Sequence, residues 1–580
     1  MTDKAFEDDA PRPGSALREA WRAGYGAVEA RADFLAGITV GVVAIPLAMA
    51  LAIATGVPPQ HGLYTAIVAS VVIGLAGGSR VNISGPTAAF VVILLPIVHD
   101  YGLGGLLLAT LMAGGILVAL GLARAGRLIE YIPYPVTVGF TAGIGVVIAT
   151  LQLKDLLGLP VGELEGHYLD KVVVLAGALP AVDWADFAVG GFALGLLILW
   201  PRLRIPLPGY LMALIAGSAA AWLAGQLVPG FGVETIGSRF TYELDGVTGH
   251  GIPPSPPMPV LPWHLPGPDG EPLVLSFGLI RELIGPALAI AILGAIESLL
   301  CAVVADGIAG TRHNPNTELL GQGLGNIAAP LFGGIPATAA IARTAANIRA
   351  GGRSPVSAVV HAATIMAVLL FLTPLLAHVP MSVLAAILIM VAWNMSDAPH
   401  FARLLRIAPR SDVLVLLVCF GLTVLFDMVL AVGVGVALAG ALFIRRATEL
   451  TGTQLVSTQS HERLAHLPPE VAVYDINGPL FFGAAEKAVK IMHRLDKNVR
   501  VVIIDMSGVS MVDITGLMAL RSLLDQLGHD RVGVVVAGLS PELVRPFRRA
   551  GIRPRHGRLV YARDLGAAAH KALDLVSAST

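Results

Sequence analysis

The chain has 580 residues, of which 55% are hydrophobic and only 14% charged, whereas soluble domains carry about 25% charged residues. That apolar excess is too large for a soluble core and fits a polytopic membrane protein. A net charge of -1 offers no bulk attraction to nucleic acid, so no nucleic-acid partner is expected.

The first thirty residues are polar and lack the apolar core of a signal peptide, so residues 1–30 read as a cytoplasmic tail. Residues 31–446 then carry apolar runs long enough to span about 30 Å of hydrocarbon. Fourteen segments are expected. The first seven begin near Asp33, Gly62, Thr87, Gly104, Pro135, Trp184 and Pro208. The second seven begin near Leu279, Glu318, Thr338, Val356, Pro380, Asp412 and Asp427, and a polar, Pro-rich stretch over 230–272 divides the two sets. With the N-terminus inside, the inner loops hold Arg80, Arg124, Arg127, Arg202, Arg204, Arg312, Arg349, Arg353, Arg403, Arg406, Arg445 and Arg446. The central outer stretch offers Arg239 against five acids; Lys154 and Lys171 are mild exceptions. This is the positive-inside pattern, and an even number of spans places both termini in the cytoplasm.

One phrase occurs twice. The first copy reads Ser84-Gly85-Pro86-Thr87-Ala88-Ala89-Phe90 and the second Gly334-Ile335-Pro336-Ala337-Thr338-Ala339-Ala340-Ile341. Each copy breaks an apolar stretch and then starts an Ala-rich helix. Such paired interruptions in two halves point to a transporter's binding site, because backbone leaves the helix at membrane depth only where it lines a cavity. Pro46 precedes Thr87 by the same interval that separates Glu297 from Thr338. The halves therefore read as a tandem repeat of seven spans each, and an odd number inverts the second copy. The two half-helix N-termini would face one another and favour an anion.

Glu297 stands in an apolar segment with no basic neighbour in sequence. An acid at mid-membrane depth is costly and functional by default, and a protonatable carboxyl there suits a proton-carrying role. Cys301, one turn further on, is a poor sodium ligand, which tilts the reading from sodium towards protons. Arg343 follows Thr338 by five residues and is placed to add charge to the site, to line its mouth, or to pair with Glu297. Asp427 reads as a cap for the last span, His361 and Asn394 as interhelical contacts, and Pro58 to Tyr64 as a structural turn. Cys301 and Cys419 lie in apolar runs and imply neither disulfide nor metal site. No catalytic triad, metal cluster or Walker loop is present in the sequence, so neither an enzyme nor a cofactor is expected.

After a linker over 447–467 the pattern changes. Strands are expected at 471–476, 501–505 and 532–537, alternating with helices at 484–495, 516–527 and 540–550. These make a small cytoplasmic α/β domain over 468–577.

Taken together, Val57-Pro58-Pro59-Gln60-His61-Gly62-Leu63-Tyr64, Gly78-Ser79-Arg80 and Ser84-Gly85-Pro86 resemble the signature of the sulfate permease (SulP) anion transporters. Asp505-Met506-Ser507-Gly508-Val509 and Asp513-Ile514-Thr515-Gly516 resemble a STAS domain. Within the family, residues 139–144, 294–304 and 391–396 look closest to bacterial C4-dicarboxylate transporters. The resemblance implies fourteen spans in a seven-plus-seven inverted repeat, with a core domain moving like an elevator against a gate domain. It places the anion between Thr87, Ala88 and Ala89 on one side and Thr338, Ala339, Ala340 and Ile341 on the other. It implies that Leu47 and Leu51 line the site, that Arg343 assists the anion, and that Glu297 carries the coupling ion, a proton rather than sodium. Thr515 stands where relatives of the STAS domain carry a phosphorylatable residue, or is simply a hydroxyl at a helix N-terminus. The implied protein is a multi-pass homodimer of the bacterial inner membrane, with an unknown STAS partner. The expected function is proton-coupled uptake of succinate, fumarate or aspartate. Sulfate or bicarbonate transport, a passive anion channel and a sensor are the alternatives.

Overall fold

A computed structural model describes residues 11–127, 132–162, 164, 166–203, 205, 207–244, 246–426, 428–450, 452–455, 464, 466–481, 496, 498–555 and 557–579. The chain forms two compact units, Met1–Val436 and Ala437–Thr580.

The first unit is helical. Its first half comprises α1 (Ala27–Ala54), α2 (Pro59–Ala76), a two-residue strand β1 (Ser84–Gly85), α3 (Ala88–Leu122), α4 (Tyr134–Leu151), α5 (Trp184–Leu203) and α6 (Gly209–Leu227). A hairpin of β2 (Thr241–Leu244) and β3 (Val247–His250) follows in the polar central stretch. The second half comprises α7 (Phe277–Ala309), α8 (Pro315–Ala328), β4 (Thr338–Ala339), α9 (Ile341–Arg349), α10 (Val356–Phe371), α11 (Met381–Ser396), α12 (Arg410–Leu425) and α13 (Met428–Leu450). The fourteen expected segments are therefore carried by thirteen helices. Helix α3 holds two of them, joined across a kink at Gly102 (φ 67°). A Cβ at Gly102 would stand 2.4 Å from the Gly267 backbone, so both conformation and space require glycine. Among the described residues nine helices are long and apolar enough to cross a membrane, while α8 and α9 are short. Asp427 lies outside the described residues. Helices over Ser15–Arg22, Tyr168–Ala178 and Ala398–Ile407 were not expected from the sequence.

The helix contacts exchange between halves. Helix α1 packs on α10 as α7 packs on α3, α2 packs on α10 as α3 packs on α8, and α4 packs on α12 as α5 packs on α11. Helices α2 and α8, like α4 and α11, pack on their own counterparts. An inverted repeat produces this arrangement. Small residues make the close crossings. A Cβ at Gly37 would lie 2.5 Å from that of Val360, and one at Gly41 2.7 Å from that of Thr364. On α4, Gly139 and Gly143 meet Cys419 and Thr423 in the same way.

The second unit is an α/β domain. Five strands lie in the order β5 (Gly452–Leu455), β6 (Val471–Asn477), β7 (Val501–Gly508), β8 (Gly533–Ala537) and β9 (Leu559–Ala562). All neighbours are parallel except β5 with β6. Alternation along β7 sends Val502, Ile504 and Met506 to one core, with α14 (Ile514–His529) and α15 (Pro541–Arg549). Val501 and Ile503 face the other core, with α16 (Leu565–Ser579). The expected strands and the helices at 516–527 and 540–550 are present, displaced by a few residues. The expected helix at 484–495 lies outside the described residues. Strand β5 falls inside the stretch expected to be a linker and is an edge of the sheet. Its Gly-Thr-Gln-Leu sequence has no alternation to read, and its pairing to β6 makes it a strand.

Candidate functional site

The two sequence breaks meet. Strands β1 and β4 pair antiparallel, with Ser84 opposite Ala339 and Gly85 opposite Thr338. Thr87 then caps α3, and Ala340 caps α9. Neither cap's side chain accepts an amide of its helix, and helix N-termini left without a side-chain cap are suited to an anion. The second half-helix begins two residues later than the repeated phrase implies. Thr338 and Ala339 lie in β4, and Ile341 is the first helical residue. The physical reason is the pairing itself, which holds Thr338 and Ala339 extended against Gly85 and Ser84.

Helix α7 clasps both breaks with adjacent residues. The Thr87 hydroxyl donates to Glu297 Oε2 at 3.0 Å. Ser298 Oγ lies 2.6 Å from Thr338 Oγ1 and accepts the Ala339 amide at 3.3 Å. The Thr338 hydroxyl also reaches the Gly294 carbonyl at 3.3 Å. Thr87 and Thr338 are thus brought to one helix, a turn that sequence reading assigned only to Glu297. Ser298 was missed, although it stands next to the acid.

Arg343 is buried on α9 and donates to the Pro86 carbonyl in the opposite break. Its Nη1 has no hydrogen-bond partner among the described residues. It makes no direct ion pair with Glu297, so of the three roles read from the sequence the pairing is not realised. The Cys301 thiol contacts Thr344 Oγ1 at 3.4 Å and Asn82 Oδ1 at 3.7 Å, and Thr344 accepts the Ile83 amide at 3.0 Å. Ala88, Ala89, Leu47 and Leu51 are all buried. The two leucines follow Pro46 on α1, which packs on α9.

Helix α8 supplies a further set that sequence reading missed. Glu318 accepts the amides of Gly78 and Ser79 at 2.9 Å each and the Asn82 amide group at 2.9 Å. One turn on, Gln322 donates to Ser84 at 3.2 Å. Another turn on, Asn326 exchanges two bonds of 2.8 Å with the Ala337 backbone. The spacing of four residues within an apolar unit was the available signal. His61 and Thr65 of α2 brace Gly333 and Ile335 at 2.6 and 3.0 Å; the stretch expected to be a turn is, from Pro59 on, the start of α2, capped by Pro58, and it supports the second break. Asn394 bonds Tyr210 of α6 at 3.2 Å.

In the second unit, Asp513 caps α14 by accepting the Gly516 amide at 2.7 Å. Thr515 is exposed in the first turn and is not the cap. Asp513 reaches that amide because it stands at the residue before the helix, whereas Thr515 is already inside the first turn.

The sequence matches the sulfate permease family over residues 31–419 and the STAS domain over residues 463–559. The chain belongs to the sulfate permease family. YvdB of Bacillus subtilis (strain 168), named for sulfate transport, is 38% identical over 537 residues, covering 92% of this chain and 96% of that protein. The bicarbonate transporter BicA of Picosynechococcus is 29% identical over 544 residues, covering 90% of each. The structure of SLC26A9 matches with a TM-score of 0.81 at 18% identity, covering 98% of this chain and 94% of that one, which shows the shared fold. This member of the sulfate permease family is a multi-pass anion transporter with a STAS domain, and not an enzyme.

Proposed function

We propose that the chain is a secondary active transporter that couples inward proton movement to uptake of an anion, with C4-dicarboxylates such as succinate, fumarate and aspartate as substrates. The observation that carries the reading is the hydrogen bond between Thr87, which caps the first half-helix, and Glu297. It ties the one protonatable carboxyl of this helix's central segment to the anion-facing helix start. Two half-helix termini contribute roughly half a positive charge each, and Arg343 adds a full one. Together they balance a dianion when Glu297 carries a proton. A charged Glu297 repels the dianion, so proton and anion bind together. The substrate side is Thr87, Ala88, Ala89, Thr338, Ala339, Ala340, Ile341 and Arg343, with Leu47 and Leu51 as the apolar wall. Alternating access moves the core, in which α7 clasps both breaks, past the remaining helices in an elevator-type motion. The protein is a homodimer of the bacterial inner membrane with both termini in the cytoplasm, and exposed Thr515 is a modification point on its STAS domain.

A second reading is transport of sulfate or bicarbonate through the same site. The names of YvdB and BicA favour it, and paired half-helix termini attract any anion of fitting size.

Radiolabelled succinate uptake into proteoliposomes tests both, with an imposed inward proton gradient and unlabelled sulfate or bicarbonate as competitors. Accumulation that collapses with the gradient and resists the competitors supports dicarboxylate symport. Vesicles that take up sulfate or bicarbonate but not succinate replace the substrate and keep the site. Equilibration without accumulation would make the protein a passive channel.

A further inference from the structure

The STAS domain carries a cavity of about 450 Å³ at the N-terminal ends of β8 and β9, where Val534 and Leu559 form part of its wall. Leu524, Val532 and Ile552 complete an apolar floor. Five arginines line it, Arg521, Arg531, Arg553, Arg555 and Arg558, against one acid, Asp525. A second concavity of about 260 Å³ shares Arg553 and adds Arg545, Arg548 and Arg549 from α15.

Among the described residues little neutralises this charge. Arg521 lies 3.8 Å from Asp525 and donates to the Ala550 carbonyl at 3.3 Å. Arg553 donates to the Arg548 carbonyl at 3.4 Å. Among the described residues the exposed guanidinium groups of Arg531, Arg555 and Arg558 have no ion-pair partner. Arg531 is also held with φ at 57°, just past the end of α14, a conformation that favours glycine. Like charges gathered in one cavity repel one another, and an anion seated among them offsets that repulsion.

We propose that this cavity binds a multivalent phosphate-bearing anion. Guanidinium forks match phosphate oxygens with paired hydrogen bonds, and several arginines against one acid require a ligand with more than one negative charge. Leu524, Val532 and Ile552 add apolar surface beside those contacts. The cavity lies at the opposite end of the parallel strands from Asp513 and Thr515, which follow the C-terminal end of β7, so it is separate from the modification point proposed above. The phosphate belongs either to a soluble molecule or to a lipid headgroup.

Hydrogen exchange on the full-length protein in nanodiscs distinguishes these sources, read on peptides covering 521–533 and 551–559. In the first arm inorganic pyrophosphate is added to phosphatidylcholine nanodiscs. In the second arm phosphatidylglycerol nanodiscs are compared with phosphatidylcholine ones, without pyrophosphate. Slowing of exchange by about threefold or more at both peptides in the first arm identifies a soluble anion, and in the second a lipid headgroup. The slowing is expected to disappear in the triple variant Arg531→Gln/Arg555→Gln/Arg558→Gln. It is also expected to weaken in Arg531→Gly, which relieves the backbone and keeps the domain folded. No slowing in either arm, or equal slowing in the triple variant, overturns the proposal.

Discussion

Gly85 lies against the guanidinium of Arg343, and a Cβ at Gly85 would stand 2.4 Å from its Nη1. The first break and the cation of the second half-helix are therefore built around the absence of a side chain. Gly85→Ala forces Arg343 away from the Pro86 carbonyl and, with Gly85 at φ 159°, also strains the short strand β1. The variant should express and elute as wild type on size exclusion, and its anion uptake should fall about tenfold or more, equivalent to about 1.4 kcal/mol. Wild-type uptake would show that the position of Arg343 does not matter to the anion.

Glu297→Gln keeps an acceptor for the Thr87 hydroxyl and removes the proton site. Uptake by this variant should no longer rise when the outside is made acidic relative to the inside, although anion binding persists. Full proton-driven accumulation by Glu297→Gln would remove Glu297 from the coupling step.

Ser298→Ala removes the nearer of the two partners of Thr338 and the side-chain acceptor of the Ala339 amide. Buried groups left unpaired cost about 1–3 kcal/mol. The thermal midpoint should drop, while the response of the remaining transport to the proton gradient should keep its wild-type shape. A loss of gradient response with unchanged stability would give Ser298 a direct part in coupling.

Asp513→Ala removes the cap of α14 and should destabilise the STAS domain by about 1 kcal/mol, seen in denaturant unfolding followed by exchange at α14. Thr515→Val should leave that stability unchanged, since its hydroxyl caps nothing. If the two variants behave the other way round, the capping assignment is wrong.

Much of this was legible in the sequence. The repeated phrase carried both breaks, the segment count carried the inverted repeat, alternation carried β6, and short apolar runs carried β7 and β8. What escaped reading depends on partners distant in the chain. Strand β5 is too short to show a period and exists through its pairing with β6. The start of α9 is displaced because Thr338 and Ala339 pair with residues more than two hundred positions away. Ser298, Gln322 and Asn326 have ordinary roles in isolation, and their importance comes from the backbone groups that the breaks leave to be satisfied. Arg343 was visible as a charge, but its burial under Pro86 was not.

The ladder of Glu318, Gln322 and Asn326 has a consequence for how this chain tolerates change in length. Each rung serves a different stretch: residues 78–82, then Ser84, then Ala337. Inserting a single residue into α8 turns everything beyond it by about 100°. An insertion between Glu318 and Gln322 would strip both breaks of their supports at once, although neither break had been altered. Within the polar stretch over 230–272 the mostly exposed β2–β3 hairpin between the halves has no such obligation and can lengthen, although its flanks bond Ala377, Val379 and Leu331. Drift in length is thus channelled to the seam between the halves and barred from a fourteen-residue helix that touches both.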